Sequence, residues 1–142
     1  ASVSGHQGCA AAGDRVMGML KNCGGAGFVT DGPMRDYAGL VEVGLPAWCT
    51  GLTPASPFTK GPATVGLPIN IGGQKIESGD VIVADRDGVV VVPHSKIDFV
   101  IARLSKVADL EYSLDEEVRG GLKMPDPVKE MILEDNVKFV DD

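Results

Sequence analysis

Residues 13–36 read GDRVMGMLKNCGGAGFVTDGPMRD, and this stretch decides the fold. In its first half the apolar residues Val16, Leu20 and Cys23 recur at the spacing of one helix face. Two glycines follow, and glycine is the residue that most often ends a helix. The pattern therefore predicts a helix over about 14–23.

A short strand and a turn complete the stretch. The apolar run AGFVT at 26–30 is typical of a buried strand, and Asp31-Gly32-Pro33 is a turn signal. A helix of about ten residues advances roughly 15 Å, and five strand residues return roughly 16 Å. The loop after the strand is therefore expected to come back to the point at which the helix begins.

Four polar residues are expected to meet at that point, because Asp31, Arg35 and Asp36 follow the strand and Asp14 begins the helix. The first backbone amides of a helix have no partners within it and can bind a carboxylate. The guanidinium of Arg35 can grip the same anion in a bidentate manner, and Asp36 is a hard oxygen ligand for Mg²⁺ or Mn²⁺. The residues alone favour a structural interpretation instead. In it Asp14 caps a helix, Arg35 is a surface residue and Asp36 is an acid in the first turn of the next helix.

A hairpin and a long helix are predicted further along the chain. Val81–Ala84 and Val89–Val92 flank the sequence DRDG, which has glycine where a hairpin turn needs a positive φ. A calcium loop would need a glutamate at its twelfth position, which is not present, so the hairpin is favoured. Apolar residues recurring at three and four predict an amphipathic helix over 95–118, with Ser95 as its cap. We expect a three-layer α/β domain in which this hairpin is central and this helix covers one sheet face.

The remaining elements are predicted to be short. A helix is expected over 35–43, and apolar runs broken by prolines predict edge or irregular strands at 47–52 and 63–71. A last short helix is expected over 125–134, with Pro127 near its start.

Composition restricts the function. The chain has 142 residues, 44% of them apolar, which suits a single domain over 1–142. Thirteen basic and twenty acidic residues give a net charge of −7, and no basic stripe is present that could neutralise phosphates, so nucleic acid is not expected as a ligand. A small anion remains compatible, because backbone amides and one arginine act at short range.

Cysteine usage and hydropathy indicate a cytoplasmic protein. Cys9, Cys23 and Cys49 form no CxxC pair, which argues against a disulfide framework or a zinc knuckle. No apolar run reaches the roughly 18 residues of a membrane span, so no membrane association is expected. The first eight residues, ASVSGHQG, contain no initiator methionine, and we expect that an N-terminal portion is missing.

The spacing of Asp14, twenty further residues and then Arg35-Asp36 resembles the D-X20-R-D motif of the RraA-like and 4-hydroxy-4-methyl-2-oxoglutarate aldolase family. Three further segments resemble motifs of that family: DGPMRD at 31–36 its DG-x-x-RD loop, SGD at 78–80 its PGD turn, and ADRDGVVVVP at 84–93 its D-x-DGVVVVP hairpin. The resemblance extends from about Gly8 to Gly121. The family's N-terminal segment has no counterpart here.

The resemblance implies a three-layer β/β/α fold, like that of swivelling domains, and a metal-dependent (class II) pyruvate aldolase. Such an enzyme is a lyase that releases pyruvate from 4-hydroxy-4-methyl-2-oxoglutarate or 4-carboxy-4-hydroxy-2-oxoadipate, and it can act as an oxaloacetate decarboxylase. The substrate would chelate a divalent cation, Mg²⁺ or Mn²⁺, and the cation would stabilise the charge that develops as the C–C bond breaks. The family also implies a homotrimer or hexamer.

The resemblance also assigns roles to residues. Asp36 would hold the metal, and the catalytic pair would be Arg35, which binds the substrate, and Asp14, which activates water or relays a proton. Besides Arg35, the substrate-binding residues would be Gly13, Asp14, Arg15 and Val16.

Two positions bear on how complete this site is. Some family members carry an acid three positions after the last aspartate of the motif, where this chain has Gly39, so the role of that acid is lost. A glutamate from a neighbouring subunit can complete the site in the family, and Glu111 is a candidate for it. The alternative for Glu111 is a solvated helix residue.

Three other functions compete with that of an aldolase. Some RraA-like proteins are non-catalytic ribonuclease-binding regulators, and an acidic surface suits a basic partner, so this is the second interpretation. A phosphohistidine carrier is disfavoured because His6 lies in SGHQG, without the threonine and serine that precede such a histidine. A methyltransferase is excluded by the lack of a glycine-rich nucleotide loop after a first strand.

Overall fold

The computed structural model describes residues 1–134 and 137–138, and it divides into two compact units, Ala1–Ile97 and Asp98–Asp142. The helices are α1 (Asp14–Asn22), α2 (Tyr37–Val43), α3 (Ile97–Arg119) and α4 (Asp126–Ile132). The strands are β1 (Phe28–Val29), β2 (Ala47–Trp48), β3 (Ile69–Ile71), β4 (Gln74–Ile76), β5 (Val81–Ala84) and β6 (Val89–Val92). The predicted α/β class is confirmed, and a single domain over 1–142 stays a prediction.

The strands of the described residues form three two-stranded sheets. β1 and β2 pair in parallel, whereas β3 with β4 and β5 with β6 are antiparallel hairpins. The β5–β6 hairpin was predicted correctly, but it pairs with no other described strand, so the prediction that it is central was wrong. The β3–β4 hairpin was missed, although Gly72-Gly73 between its strands is a signal: both glycines have positive φ, as a tight two-residue turn requires.

The core of the first unit lies between α1, β1 and α2. Met17 and Met34 are its largest fully buried side chains, and Leu20 packs beside them. Val16 and Cys23, which the sequence placed on the same helix face as Leu20, are exposed. The buried face of α1 is therefore rotated by about one residue from the predicted stripe, because Met17 and not Val16 faces β1 and α2.

Asp80 and Asp85 hold the β5–β6 hairpin at its two ends. At the turn, Asp85 Oδ1 accepts a hydrogen bond from the Asp87 amide at 2.8 Å. At the open end, the two carboxylate oxygens of Asp80 accept hydrogen bonds from the Glu77 and His94 amides, each at 2.9 Å. These bonds lower the pKa of Asp80 below its ordinary value. Asp80, in the segment that resembles the family's PGD turn, thus links Glu77, which follows β4, to His94, which lies after β6.

The long helix is confirmed, but its predicted cap is wrong. Ser95 lies inside a turn of 3-10 helix, His94–Lys96, so it does not precede α3 directly. No residue of α3 is buried, and Leu104 and Leu110 are exposed by 57% and 71%. That this helix covers one face of a sheet stays a prediction. Among the described helices, none combines the length and the apolar character that a membrane crossing requires.

Candidate functional site

A parallel backbone bridge brings the start of α1 to the segment that precedes α2. The bridge joins Ala12 to Met34. It is held by a hydrogen bond from the Arg35 amide to the Ala12 carbonyl, 3.1 Å, and by one from the Ala11 amide to the Pro33 carbonyl, 2.7 Å. The loop after β1 therefore returns to the N-terminus of α1, as the lengths of helix and strand predicted.

Gly13 is the point of closest approach between the two segments. It is buried and precedes the first residue of α1 as the N-cap. A Cβ on this residue would come within 2.5 Å of Asp36 Oδ2 and 3.0 Å of Arg35 Cγ. Only glycine leaves room for these two side chains, so Gly13 sets the distance between α1 and the Arg35-Asp36 pair.

Arg35 is held at two points and stays accessible. Its Nη1 donates a hydrogen bond to Ser56 Oγ at 2.8 Å. Its Nε lies 3.1 Å from Asp36 Oδ2, and because this buried nitrogen makes no hydrogen bond within the described structure, the contact is ionic only. The side chain is 33% exposed. The guanidinium is thus fixed in place beside an opening through which an anion can reach it.

Asp36 has an unusual backbone conformation. It is the N-cap of α2 with φ 62° and ψ 45°, in the left-handed region, yet its side chain makes no capping hydrogen bond. That region costs roughly 1–2 kcal/mol for most L-residues and is tolerated best by glycine, asparagine and aspartate. The carboxylate is turned towards Arg35 and is 42% exposed. Because the Asp36 carboxylate does not cap α2, it is available to bind another ligand.

Asp14 is the first residue of α1, not its cap. Its Oδ1 accepts a hydrogen bond from the Arg15 amide at 2.6 Å. The Arg15 amide, predicted to be free for a substrate, is therefore occupied by Asp14, whereas the Arg15 side chain and Val16 are exposed. The Asp14 carboxylate lies against Gly39 in the first turn of α2, in the space that a side chain at that position would fill.

Asp31 does not belong to this group, contrary to the prediction. Its carboxylate accepts hydrogen bonds from the Val3 amide at 2.6 Å, the Ser2 hydroxyl at 2.8 Å and the Gly5 amide at 3.0 Å. Burial by itself raises the pKa of Asp31, but these hydrogen bonds outweigh it and lower the pKa below its ordinary value. Asp31 is a structural residue that fastens the N-terminal loop to the end of β1.

We expect Asp31 to make the fold sensitive to acid. Because its pKa is lower in the folded than in the unfolded chain, its stabilisation is complete above the ordinary value of 3.8 and disappears as the pH falls through the folded value. Thermal unfolding of Asp31→Asn should show a lower melting temperature than the wild type at neutral pH and a smaller loss between neutral and acid pH. Equal losses in both proteins would contradict this role.

A shallow depression of about 340 Å³ opens at the site. It is lined by Arg35, Asp36, Tyr37, Leu52, Thr53 and Pro54. A larger cavity of about 690 Å³ lies elsewhere in the first unit, among apolar residues such as Phe28, Trp48 and Ile71. No charged side chain lines that cavity, so the smaller depression is the better site for an anion. Nothing in the sequence had marked Leu52, Thr53 or Ser56 as neighbours of the site.

The chemistry of the site fits a hard divalent cation. Within the described part of the chain, no three His, Cys, Asp or Glu side chains lie together as a metal-binding group. Mg²⁺ seldom uses a closed protein cage and is usually held by one or two carboxylates, water and oxygens of the substrate. Asp36 supplies one such carboxylate at the opening, next to an arginine that can hold a substrate carboxylate.

Comparison with known proteins adds to this geometry. Residues 2–91 match the family model RraA-like, described as Aldolase/RraA. A protein of Halalkalibacterium halodurans named "Putative 4-hydroxy-4-methyl-2-oxoglutarate aldolase" is 41% identical over 97 residues, which are 68% of this chain and 46% of that protein.

Two solved structures are also similar to this chain. An uncharacterized protein from Pseudomonas syringae pv. tomato superimposes with a TM-score of 0.78 at 29% identity, over 86% of this chain and 62% of that one. Streptomyces coelicolor RraAS2, described as an unusual member of the RNase ES inhibitor RraA protein family, gives 0.66 at 35% identity, over 78% and 56%. This chain spans less than two thirds of the length of each of these three proteins.

Proposed function

Because this chain belongs to the RraA-like family, we propose that it carries the active site of a divalent-metal-dependent lyase that cleaves a C–C bond of a 2-oxo acid. The substrates are 4-hydroxy-4-methyl-2-oxoglutarate or 4-carboxy-4-hydroxy-2-oxoadipate, each of which releases pyruvate, and oxaloacetate, which loses carbon dioxide. The observation that carries the proposal is the packing of Gly13, the neighbour of Asp14 in sequence, against Arg35 and Asp36, which line the depression.

Arg35 binds the carboxylate of the 2-oxo acid in this proposal. A guanidinium presents parallel N–H donors that match the two oxygens of a carboxylate. Its contacts with Ser56 and Asp36 hold it beside the opening before a substrate arrives, so little conformational entropy is lost on binding. The apolar faces of Tyr37 and Leu52 border the same depression and are exposed, which leaves room for the distal part of the substrate.

Asp36 would hold the cation, and Asp14 would move the proton. The cation, when bound, supplies a Lewis acid that stabilises negative charge on the keto oxygen. In the aldol cleavage the 4-hydroxyl loses a proton as the bond between carbons 3 and 4 breaks, and carbon 3 gains a proton. Since Asp14 Oδ1 is held by the Arg15 amide, Oδ2 is the oxygen that would accept and return that proton, directly or through water.

Assembly is a further part of the proposal. We propose that the chain forms a trimer or a dimer of trimers, and that a neighbouring subunit completes the site. Asp36 leaves most positions around a cation to other ligands, and Glu111, the candidate for one of them, is exposed on α3. Its role stays a prediction.

A ribonuclease-binding regulator is the second candidate function. The likeness to Streptomyces RraAS2 favours it, because that protein is described as a member of an RNase inhibitor family. The acidic segment DLEYSLDEE at 109–117 is exposed on α3 and suits a basic partner. Calorimetric titration with Mg²⁺ and then with pyruvate or oxalate separates the two functions, since only the lyase needs a site where cation and 2-oxo acid bind together.

Removal of metal is expected to abolish activity. Pyruvate release from 4-hydroxy-4-methyl-2-oxoglutarate, followed with a coupled dehydrogenase, should stop in EDTA and return when Mg²⁺ or Mn²⁺ is added in excess. Oxaloacetate decarboxylation should respond in the same way, because both reactions develop charge on the same keto oxygen. Activity that is indifferent to EDTA would overturn the metal-lyase proposal and leave the regulator as the better candidate.

A further inference from the structure

We propose that Gly39 is a positioning residue for the reaction: because it has no side chain, the first turn of α2 can lie against Asp14 and fix the Asp14 carboxylate in the site. The consequence for catalysis rests on the proposed function. The consequence for packing does not, so the two can be tested separately.

In this structure the first turn of α2 lies too close to Asp14 at Gly39 for a side chain to be added without a shift. A Cβ built on Gly39 would lie 2.7 Å from Asp14 Cβ and 2.9 Å from Asp14 Cγ, and closer still to Asp14 Oδ2. Asp14 Cβ is bonded directly to the backbone of α1, so a change of rotamer cannot remove the clash. Either α1 and α2 move apart or the start of α1 unwinds.

Gly39 and Gly13 form a reciprocal pair. Gly13, next to Asp14 in sequence, gives room to the carboxylate of Asp36. Gly39, in the first turn after Asp36, gives room to the carboxylate of Asp14. Each acid is thus packed on a glycine of the other acid's segment. Because both contacts depend on the same approach of two segments, moving one carboxylate should disturb the other.

Gly18 provides a matched control. It is a glycine inside α1, and a Cβ there would meet only Val43 Cγ2, at 4.0 Å, which is ordinary contact. Alanine in a helix is more favourable than glycine, so Gly18→Ala should raise the melting temperature by about 2–8 °C. Gly39→Ala would gain the same helix propensity, but we expect it to lower the melting temperature because of the clash with Asp14.

The decisive experiment is a double-mutant cycle on the full chain, followed by thermal unfolding in circular dichroism. In an Asp14→Gly background the clashing Cβ is absent, so the effect of Gly39→Ala should change sign and raise the melting temperature as Gly18→Ala does. A Gly39→Ala variant that fails to fold should fold again in the Asp14→Gly background. Gly39→Ala that stabilises the wild type, or that destabilises both backgrounds equally, overturns the proposal.

Kinetics test the positioning role. If Asp14 moves the proton and Arg35 binds the substrate, Gly39→Ala should lower kcat at least tenfold while KM changes less than threefold, and Gly18→Ala should change neither. An unchanged kcat in Gly39→Ala overturns the catalytic part. If the wild-type protein has no lyase activity, the proposed function fails, and the unfolding cycle still decides whether Gly39 positions Asp14.

Discussion

Replacing Asp36 by alanine is expected to abolish cation-dependent turnover and to destabilise the fold. Turnover is lost because Asp36 is the residue at the opening that is proposed to hold the cation. Stability falls by roughly 1 kcal/mol because alanine is poorly tolerated in the left-handed region that residue 36 adopts. Pyruvate release and the free energy of unfolding, measured on the same preparation, report the two effects.

Asparagine at the same position separates these effects. Asp36→Asn keeps a residue that tolerates the left-handed conformation and keeps one oxygen ligand, but it removes the negative charge. We expect near wild-type stability, a large loss of turnover at low Mg²⁺, and partial recovery as Mg²⁺ is raised. Asp87→Asn, in the exposed hairpin turn, is the matched control and should leave turnover unchanged. Full activity of Asp36→Asn or Asp36→Ala at low Mg²⁺ would remove Asp36 from the metal site.

Sequence predicted that the loop after β1 returns to the start of α1, because helix and strand lengths are readable without tertiary information. The helix predicted over about 14–23 and the strand predicted over 26–30 have similar lengths, so the chain was expected to return to its starting point, although β1 itself is only two residues long. The observed bridge between Ala12 and Met34 confirms that geometry. What residues 14, 35 and 36 do there came from the family motif, since the same three residue types are also ordinary helix-end residues.

Other features could not be predicted, because they depend on contacts that no local pattern encodes. Ser56 lies in the irregular segment after Leu52 and reaches Arg35 only in the folded chain. Asp31 stands in the turn signal before Arg35, yet its carboxylate is taken up by the N-terminal loop, which has no periodic pattern. The left-handed backbone of Asp36 is likewise imposed by its neighbours. Only Gly39 had a signal, as a glycine within a predicted helix, where it weakens the helix unless packing requires it.

The long helix α3 shows a further limit of a local pattern. Its periodicity correctly predicted an apolar face, but periodicity does not say which surface covers that face. Leu104 and Leu110 lie on that face and are exposed, and what packs on them is not encoded in their spacing. The prediction that the β5–β6 hairpin is central failed for a related reason: two apolar runs flanking a turn signal predict a hairpin, and nothing in them predicts how many further strands join it.

Arg35→Lys is expected to weaken binding of the 2-oxo acid by about 1.5–3 kcal/mol, or roughly 10- to 150-fold. Lysine keeps the positive charge, but it has no planar fork for a bidentate grip on a carboxylate. Lysine also cannot reproduce both present contacts of the guanidinium, that of Nη1 with Ser56 and that of Nε with Asp36. Cation binding should survive, because Asp36 remains. Calorimetry with pyruvate or oxalate in saturating Mg²⁺ gives the first quantity, and titration with Mn²⁺ followed by electron paramagnetic resonance gives the second.

Comparing Arg35→Lys with Asp36→Asn is the stronger test. The two residues are adjacent, so a general disturbance of the loop would weaken substrate binding and cation binding together. Raised Mg²⁺ should partly restore Asp36→Asn and should not restore Arg35→Lys, since the lysine variant has lost a substrate contact rather than a cation ligand. Arg86→Lys, in the hairpin turn, controls for loss of a guanidinium elsewhere on the chain. If Arg35→Lys binds oxalate as tightly as the wild type, or if raised Mg²⁺ restores it, the substrate carboxylate does not lie on Arg35 and the division of work between the two residues is wrong.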